Sequence, residues 1–164
     1  MTVPTLRFDP TPWMALAIGE ANSALNQGEV PVGAVIVLDN KLIGVGRNLV
    51  EANRDASAHA EMIALRVAGK SISNWRLSGA KLIVTLEPCP MCTSALMLSR
   101  IDEIYYGASD PRLGACGSLF DLASSPQLPH QIKTYSGILE KECKDLLDTF
   151  FENIRRGGRV AEGA

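Results

Sequence analysis

Apolar positions recur at two spacings along this chain, and the spacing changes from segment to segment. Between Thr11 and Gln27, Met14, Ala17, Ile18, Ala21, Ala24 and Leu25 fall three or four residues apart, which predicts the buried face of a helix. Gly28 stands where a helix C-cap belongs. Val32 to Leu38 is short, apolar and β-branched and predicts a buried strand. Asp39-Asn40-Lys41 supplies a turn, and Leu42 to Arg47 returns as a second strand, so an antiparallel hairpin is expected. Asn48 to Ala56 is polar and predicts a loop. Ser57 can cap a helix that runs to Ala68 and ends at Gly69. Lys81 to Leu86 predicts a third strand, Pro88 to Ser99 a helix with proline in its first turn, and Ile101 to Ala108 a fourth strand. Ser109 to His130 is rich in Gly and Pro and predicts a loop holding one short helix. Gln131 to Ser136 predicts a fifth strand. Glu140 to Arg156 is amphipathic, with Leu146, Leu147, Phe150 and Phe151 on its apolar side.

Strands alternating with helices from Lys81 onward indicate a layered α/β fold, and the opening hairpin makes its sheet mixed. The 164 residues suit a single domain, expected over 1–156, with 157–164 a disordered tail. Hydrophobic residues at 46% and charged residues at 21% exclude wholesale disorder. No apolar run approaches the roughly 18 residues of a membrane span, and the longest, Val30 to Leu38, is interrupted by Pro31 and Gly33. Met1 to Pro10 has no basic start followed by an apolar block, so no signal peptide and a cytoplasmic location are expected. The net charge of -2 gives no global attraction to nucleic acid. From His130 onward six cations (Lys133, Lys141, Lys144, Arg155, Arg156, Arg159) balance six carboxylates, so any such footprint must be a local patch.

The chemistry lies in His59-Ala60-Glu61 and, thirty residues on, Pro88-Cys89-Pro90-Met91-Cys92. Separately each is weak, and the CxxC alone could be a redox pair. Together, one imidazole and two thiolates make a three-ligand zinc site with the fourth tetrahedral position left for water. Glu61 is then a carboxylate beside that water rather than a ligand. His59 and Glu61 are separated by about 200° around a helix, so they can converge only off its N-terminal end. Cys89 also opens a predicted helix, with Cys92 one turn on. Two positive helix ends would thus face one point and favour thiolates there.

These residues reproduce the His-x-Glu and Pro-Cys-x-x-Cys signature of the zinc nucleobase deaminases, and the chain resembles the cytidine deaminase-like superfamily. Within it the sequence is similar to the bacterial tRNA-specific adenosine deaminases over Trp13 to Arg156. The likeness is carried by Val30-Pro31-Val32-Gly33-Ala34, by Asn48 eleven residues before His59, and by Thr85-Leu86-Glu87-Pro88-Cys89. It continues in Gly107-Ala108-Ser109-Asp110-Pro111, in Gly114 to Leu119, in Ser136 to Leu139, and in Phe150-Phe151 followed by Arg155-Arg156. Arg112 stands where that family often has Lys, and Pro129 where Asn often precedes the late histidine.

The resemblance implies a three-layer α/β/α cytidine deaminase-like fold with a mixed sheet of about five strands. It also implies a zinc-dependent deaminase domain over 1–156 with one Zn2+ per subunit held by His59, Cys89 and Cys92. The reaction it implies is hydrolytic deamination of the wobble adenosine of a tRNA anticodon loop to inosine, with Glu61 as proton carrier. It further implies substrate contacts at Val32, Asn48, Ala60, Asp110, Arg112, Phe151, Arg155 and Arg156, and a homodimer. A loop base can be splayed out for such chemistry more readily than a duplex base.

Two other readings fit the same motifs. A deaminase of free guanine or cytosine, or of a nucleoside, would keep all four site residues; Pro90-Met91 also occurs between the cysteines of guanine deaminases. A zinc-stabilised RNA-binding scaffold would not need Glu61. A purely structural zinc would require a fourth ligand from His130, Cys116 or Cys143. Cys116 and Cys143 otherwise read as buried small hydrophobes, Trp75 as core or interface packing, and His130 as either structural or RNA-facing. Of the adjacent Phe150 and Phe151, one can face the core while the other stacks on a base.

Overall fold

The computed structural model describes residues 7–157. Its elements are α1 (Thr11–Asn26), β1 (Gly33–Leu38), β2 (Lys41–Arg47), α2 (Val50–Asn53), α3 (Ala60–Ser71), β3 (Lys81–Leu86), α4 (Pro90–Leu98), β4 (Glu103–Ala108), β5 (Lys133–Tyr135) and α5 (Glu140–Arg155). The five strands form one sheet in the order β2-β1-β3-β4-β5. β1 pairs antiparallel with β2 and β3, whereas β3–β4 and β4–β5 are parallel. The hairpin turn places Asp39 and Asn40 both at positive φ, the conformation of a two-residue turn that matches strand twist.

Strand alternation sorts the core into two layers. Ala34, Ile36, Leu82, Val84, Ile104 and Tyr106 face one side, where Ala60, Ala64 and Ala68 of α3 and Leu96 and Met97 of α4 close over them. Val35, Val37, Ile83 and Tyr105 face the other, against Met14 and Ala17 of α1 and Cys143 of α5. The result is the expected three-layer α/β/α arrangement with a mixed five-stranded sheet.

α3 lies unusually close to the sheet. Its small residues Ala60, Ala64 and Ala68 recur every four positions on the face that meets Gly44 and Gly46 of β2. A Cβ at Gly46 would stand 2.2 Å from the Ala60 carbonyl oxygen and 2.6 Å from the Ala64 nitrogen. The contact is therefore backbone against backbone, and it sets how far the N-terminus of α3 stands from the sheet.

Several local expectations need correction. Ser57 does not cap α3; its hydroxyl and N–H both bond the Asp55 carboxylate at 2.7 and 2.8 Å, in a side-chain turn that precedes the helix. The N-cap is His59. The helix does not end at Gly69 but continues to Ser71, because Gly69 keeps helical geometry and its carbonyl accepts from Asn74 N–H at 3.0 Å. α4 begins at Pro90 with Cys89 as N-cap, so Pro88 lies outside it. The segment 48–56 contains the one-turn helix α2, and 109–130 contains turns and an isolated bridge between Cys116 and Asp121 rather than a helix. Trp75 is 64% exposed and not in the core. Cys116 and Cys143 are buried, and His130 is half-buried, its Nε2 lying 2.8 Å from the Ile101 carbonyl. Of the predicted tail, 158–164 lie outside the described residues.

Gly46→Ala should lower stability by about 1–3 kcal/mol, the usual cost of overpacking, and reduce turnover by displacing the start of α3. Gly69→Ala, whose Cβ would have only Asn74 O within 4 Å, at 3.4 Å, should leave stability unchanged or raise it by up to about 1 kcal/mol. Urea unfolding of the two variants checks this; equal midpoints would refute the tight contact.

Candidate active site

His59 and Cys89 each occupy the N-cap of a helix, with extended backbone at φ -70°, ψ 155° and φ -74°, ψ 172°. Neither side chain caps its own helix, which leaves both free to reach forward. Cys92 sits one turn into α4. The His59 Nδ1 lies 3.6 Å from Cys89 Sγ and 3.5 Å from Cys92 Sγ, and all three donor atoms are within 4.8 Å of one another. Zinc bonds to sulfur and imidazole nitrogen at tetrahedral angles imply an N···S edge of about 3.6 Å. The donor set and its spacing therefore fit a zinc ion without rearrangement.

Among the described residues, no other Cys, His or carboxylate atom joins this cluster. Cys116 Sγ lies against Thr93 Oγ1 at 3.7 Å and Cys143 Sγ against Met14 Sδ at 3.8 Å, and His130 is held at Ile101. None of the candidate fourth ligands joins the cluster, so a zinc ion held here would have three protein ligands and a position left for water. Between the two thiols, hydrogen bonding from Cys92 lowers Cys89 to about 4. The same bond, together with burial, pushes Cys92 upward. The His59 imidazole is raised, mainly by its contact with Cys89.

Glu61 is only 4% exposed. Burial pushes its carboxyl up to about 7, against the opposing pull of His59. A carboxyl tuned toward neutrality can both accept and return a proton. Ala60, the first residue of α3, presents one of the first-turn N–H groups that a helix leaves without an internal partner.

These residues line a cavity of about 520 Å³. Val32, Asn48, Arg112, Leu113, Phe150 and Phe151 also line it. Asn48 is buried, and its Oδ1 accepts the Val50 N–H at 3.3 Å. Its amide NH2 is then the end available to donate to a ligand. A second cavity of about 670 Å³ adjoins the first through Leu86, Arg112 and Phe151, and is lined further by Asp110, Lys144 and Arg155. The Arg112 guanidinium lies 5.7 Å from the centre of the Phe151 ring. The fold thus brings nine of the twelve predicted site residues together around the first cavity, at its metal cluster or on its walls, places Asp110 and Arg155 on the second, and leaves Arg156 on neither.

That distribution follows from position on α5. Arg155 closes the helix on the cavity side, while Arg156 is its exposed C-cap. Phe150 packs inward and Phe151 is half-buried, so both reach the cavity despite facing different ways.

Two buried acids escaped the sequence reading. Glu29, 1% exposed, accepts the N–H groups of Glu51 and Ala52 at 3.2 and 2.8 Å and so anchors α2 beside Asn48. Glu87, 2% exposed, accepts the N–H groups of Asp110, Cys116 and Ser118 at 2.9, 3.0 and 3.1 Å. The available signal was an acid placed directly against an apolar strand end and a proline, where water is excluded and a carboxylate needs partners.

The profile of the family described as "Cytidine and deoxycytidylate deaminase zinc-binding region" matches residues 9–108. The tRNA-specific adenosine deaminase of Bacillus subtilis (strain 168) is 44% identical over 149 residues, covering 91% of this chain and 92% of that protein. A solved structure from work on A-to-I editing by tRNA:A34 deaminases at the wobble position of transfer RNA superposes with a TM-score of 0.81 at 44% identity. That match covers 84% of this chain and 99% of the other. A guanine deaminase from Nitrosomonas europaea shares the fold, with a TM-score of 0.75 at 20% identity over 91% of this chain and 88% of its own. The chain therefore belongs to the zinc-binding cytidine and deoxycytidylate deaminase family and, within it, to the tRNA-specific adenosine deaminases.

Purified protein should contain about one zinc ion per chain, the stoichiometry of a three-ligand site with an open position. His59→Ala and Cys92→Ala should each bring it near zero, whereas Cys116→Ala should not. Elemental analysis decides this, and full zinc retention in Cys92→Ala would refute the assignment.

Proposed function

We propose that this chain hydrolyses the exocyclic amine of adenosine at the wobble position of a tRNA anticodon loop, releasing ammonia and leaving inosine. The observation that carries the substrate class is the 44% identity to the Bacillus subtilis enzyme, sustained over 91% of the chain. The site's geometry supports the reaction class independently.

When bound, the zinc ion supplies the Lewis acidity that makes water nucleophilic at neutral pH. Glu61 accepts one proton of the attacking water and passes it to the purine ring nitrogen as the water oxygen bonds to the adjacent carbon; it then takes the second proton from the added hydroxyl and delivers it to the exocyclic nitrogen, so that the C–N bond breaks, ammonia leaves and the carbonyl of inosine forms. His59, Cys89 and Cys92 fix the metal beside Glu61 because two helix starts meet there. Asn48 donates its amide N–H to the base, the Ala60 N–H steadies the base edge, and Val32 packs against it. Arg112 and Arg155 face phosphates, with Phe151 offering a ring for an unstacked neighbouring base. Asp110 shapes the loop that presents Arg112, accepting the Arg112 N–H at 2.9 Å, and Arg156 extends the cationic end of α5.

Residues 1–156 act as the deaminase domain in this reading, in the cytoplasm, where tRNA is present and reducing conditions preserve the thiolates. The protein pairs as a homodimer. Supporting this, Trp75 and Leu98 are 64% and 60% exposed and edge one groove with Met62, Leu65 and Ala95 on α3 and α4. Light scattering should give twice the 17.6 kDa chain mass; a mass of one chain at working concentration would refute the dimer.

The wild-type protein should deaminate an anticodon stem-loop bearing a wobble adenosine, with binding that weakens as salt rises, and should leave free guanine and cytidine unconverted. Glu61→Ala should keep zinc and fold while losing at least roughly 10²–10⁴ in turnover. Product chromatography tests both. Efficient guanine turnover without any on the stem-loop would replace the substrate assignment.

A further inference from the structure

We propose that Glu87 is a positioning residue for this reaction, holding the substrate-facing loop 110–118 in shape and thereby setting substrate affinity rather than the chemical step. The inference rests on the stem-loop reading of the site above.

Glu87 lies at the exit of β3, two residues before the zinc ligand Cys89, and its own N–H is tied to the Ala108 carbonyl at 2.9 Å. Both of its carboxylate oxygens are turned to the loop that follows β4. One oxygen accepts from Cys116 N–H and Ser118 N–H at 3.0 and 3.1 Å. The other accepts from Asp110 N–H at 2.9 Å and from the Ser118 hydroxyl. The loop wraps the carboxylate so closely that a Cβ on Gly114 would stand 2.4 Å from both Glu87 Cδ and Oε2. The Asp110 carboxylate, fixed at one end of this wrap, in turn accepts Arg112 N–H and Leu113 N–H at 2.9 and 3.3 Å. Arg112 and Leu113 form a wall of the catalytic cavity beside Phe151.

Each oxygen of this buried carboxylate accepts two hydrogen bonds from the loop, and all four are made only with the loop closed around it. Glutamine has nearly the same shape but offers an NH2 on one side. Whichever oxygen it replaces, that group would face a backbone N–H, and a buried donor would lose its acceptor. The loop should then open, moving Arg112 and Leu113 while His59, Cys89 and Glu61 stay in place on α3 and α4. Gly114→Ala strains the same contact from the loop side and leaves Glu87 itself intact.

The test is steady-state kinetics on the wobble-adenosine stem-loop, with zinc content measured in parallel, for the wild type, Glu87→Gln, Gly114→Ala and the double variant. The expected result is a KM raised roughly tenfold or more in each single variant, with kcat within about threefold and zinc unchanged. The double variant should be less affected than the product of the two single effects, since both break one contact. A KM at the wild-type value in Gly114→Ala overturns the proposal even if Glu87→Gln fails to fold. Zinc and kcat falling together with KM unchanged also overturns it, because Glu87 would then serve the ligand segment. Wild-type protein with no turnover on the stem-loop overturns the substrate reading and this inference with it; wild-type turnover alongside unaffected variants overturns the positioning role alone.

Discussion

The backbone contact between α3 and β2 governs this structure. Gly44 and Gly46 offer no side chain, and Ala60, Ala64 and Ala68 offer only methyls, so helix and sheet meet at their main chains. That approach fixes the height of the α3 N-terminus above the sheet, and His59 and Glu61 ride on that N-terminus. β2 and β3 both run antiparallel to β1, so they exit at one end of the sheet and deliver the second helix start, at Cys89, beside the first. A zinc site requires donor atoms placed to within a few tenths of an ångström. It is met here by the ends of rigid elements rather than by flexible loops.

Buried charge is handled in two distinct ways around the cavity. Glu61 is buried with little to hold its ionised form, and its carboxyl rises to about 7. Glu29 and Glu87 are buried just as deeply but are surrounded by backbone N–H donors. Burial alone does not decide what an acid does; the number of donors turned toward it does. The acid with few partners stands beside the metal cluster, and the two acids with many partners tie down α2 and the loop after β4.

The walls, more than the metal centre, separate one deaminase from another. A guanine deaminase shares this fold at 20% identity, so the layered architecture by itself leaves the substrate open. Here the cavity continues into a second one lined by Lys144 and Arg155, with Arg112 stacked over Phe151 at the junction. A free base would fill the first space alone, whereas a nucleotide within a strand has neighbours to place in the second.

The sequence by itself determined the five strands and the four long helices in their order, the layered α/β class and the metal-ligand candidates. Strand alternation and helical spacing are local patterns, and the His-x-Glu and Cys-x-x-Cys motifs, ambiguous singly, point to one metal cluster when taken together. Local patterns misplaced the starts of α3 and α4, because the N-cap positions of His59 and Cys89 are set by what their side chains reach across space. Ser57 looked like the cap on propensity, but Asp55 claims it. Trp75 read as core or interface packing, and its 64% exposure removes the first of these. Only the tertiary structure decided that Arg155 and not Arg156 borders the cavities, and that Glu29 and Glu87 hold its walls. Those outcomes depend on which residues distant in sequence, 22 to 31 positions apart in the hydrogen bonds concerned, supply donors to a buried carboxylate, and no periodicity along the chain encodes that.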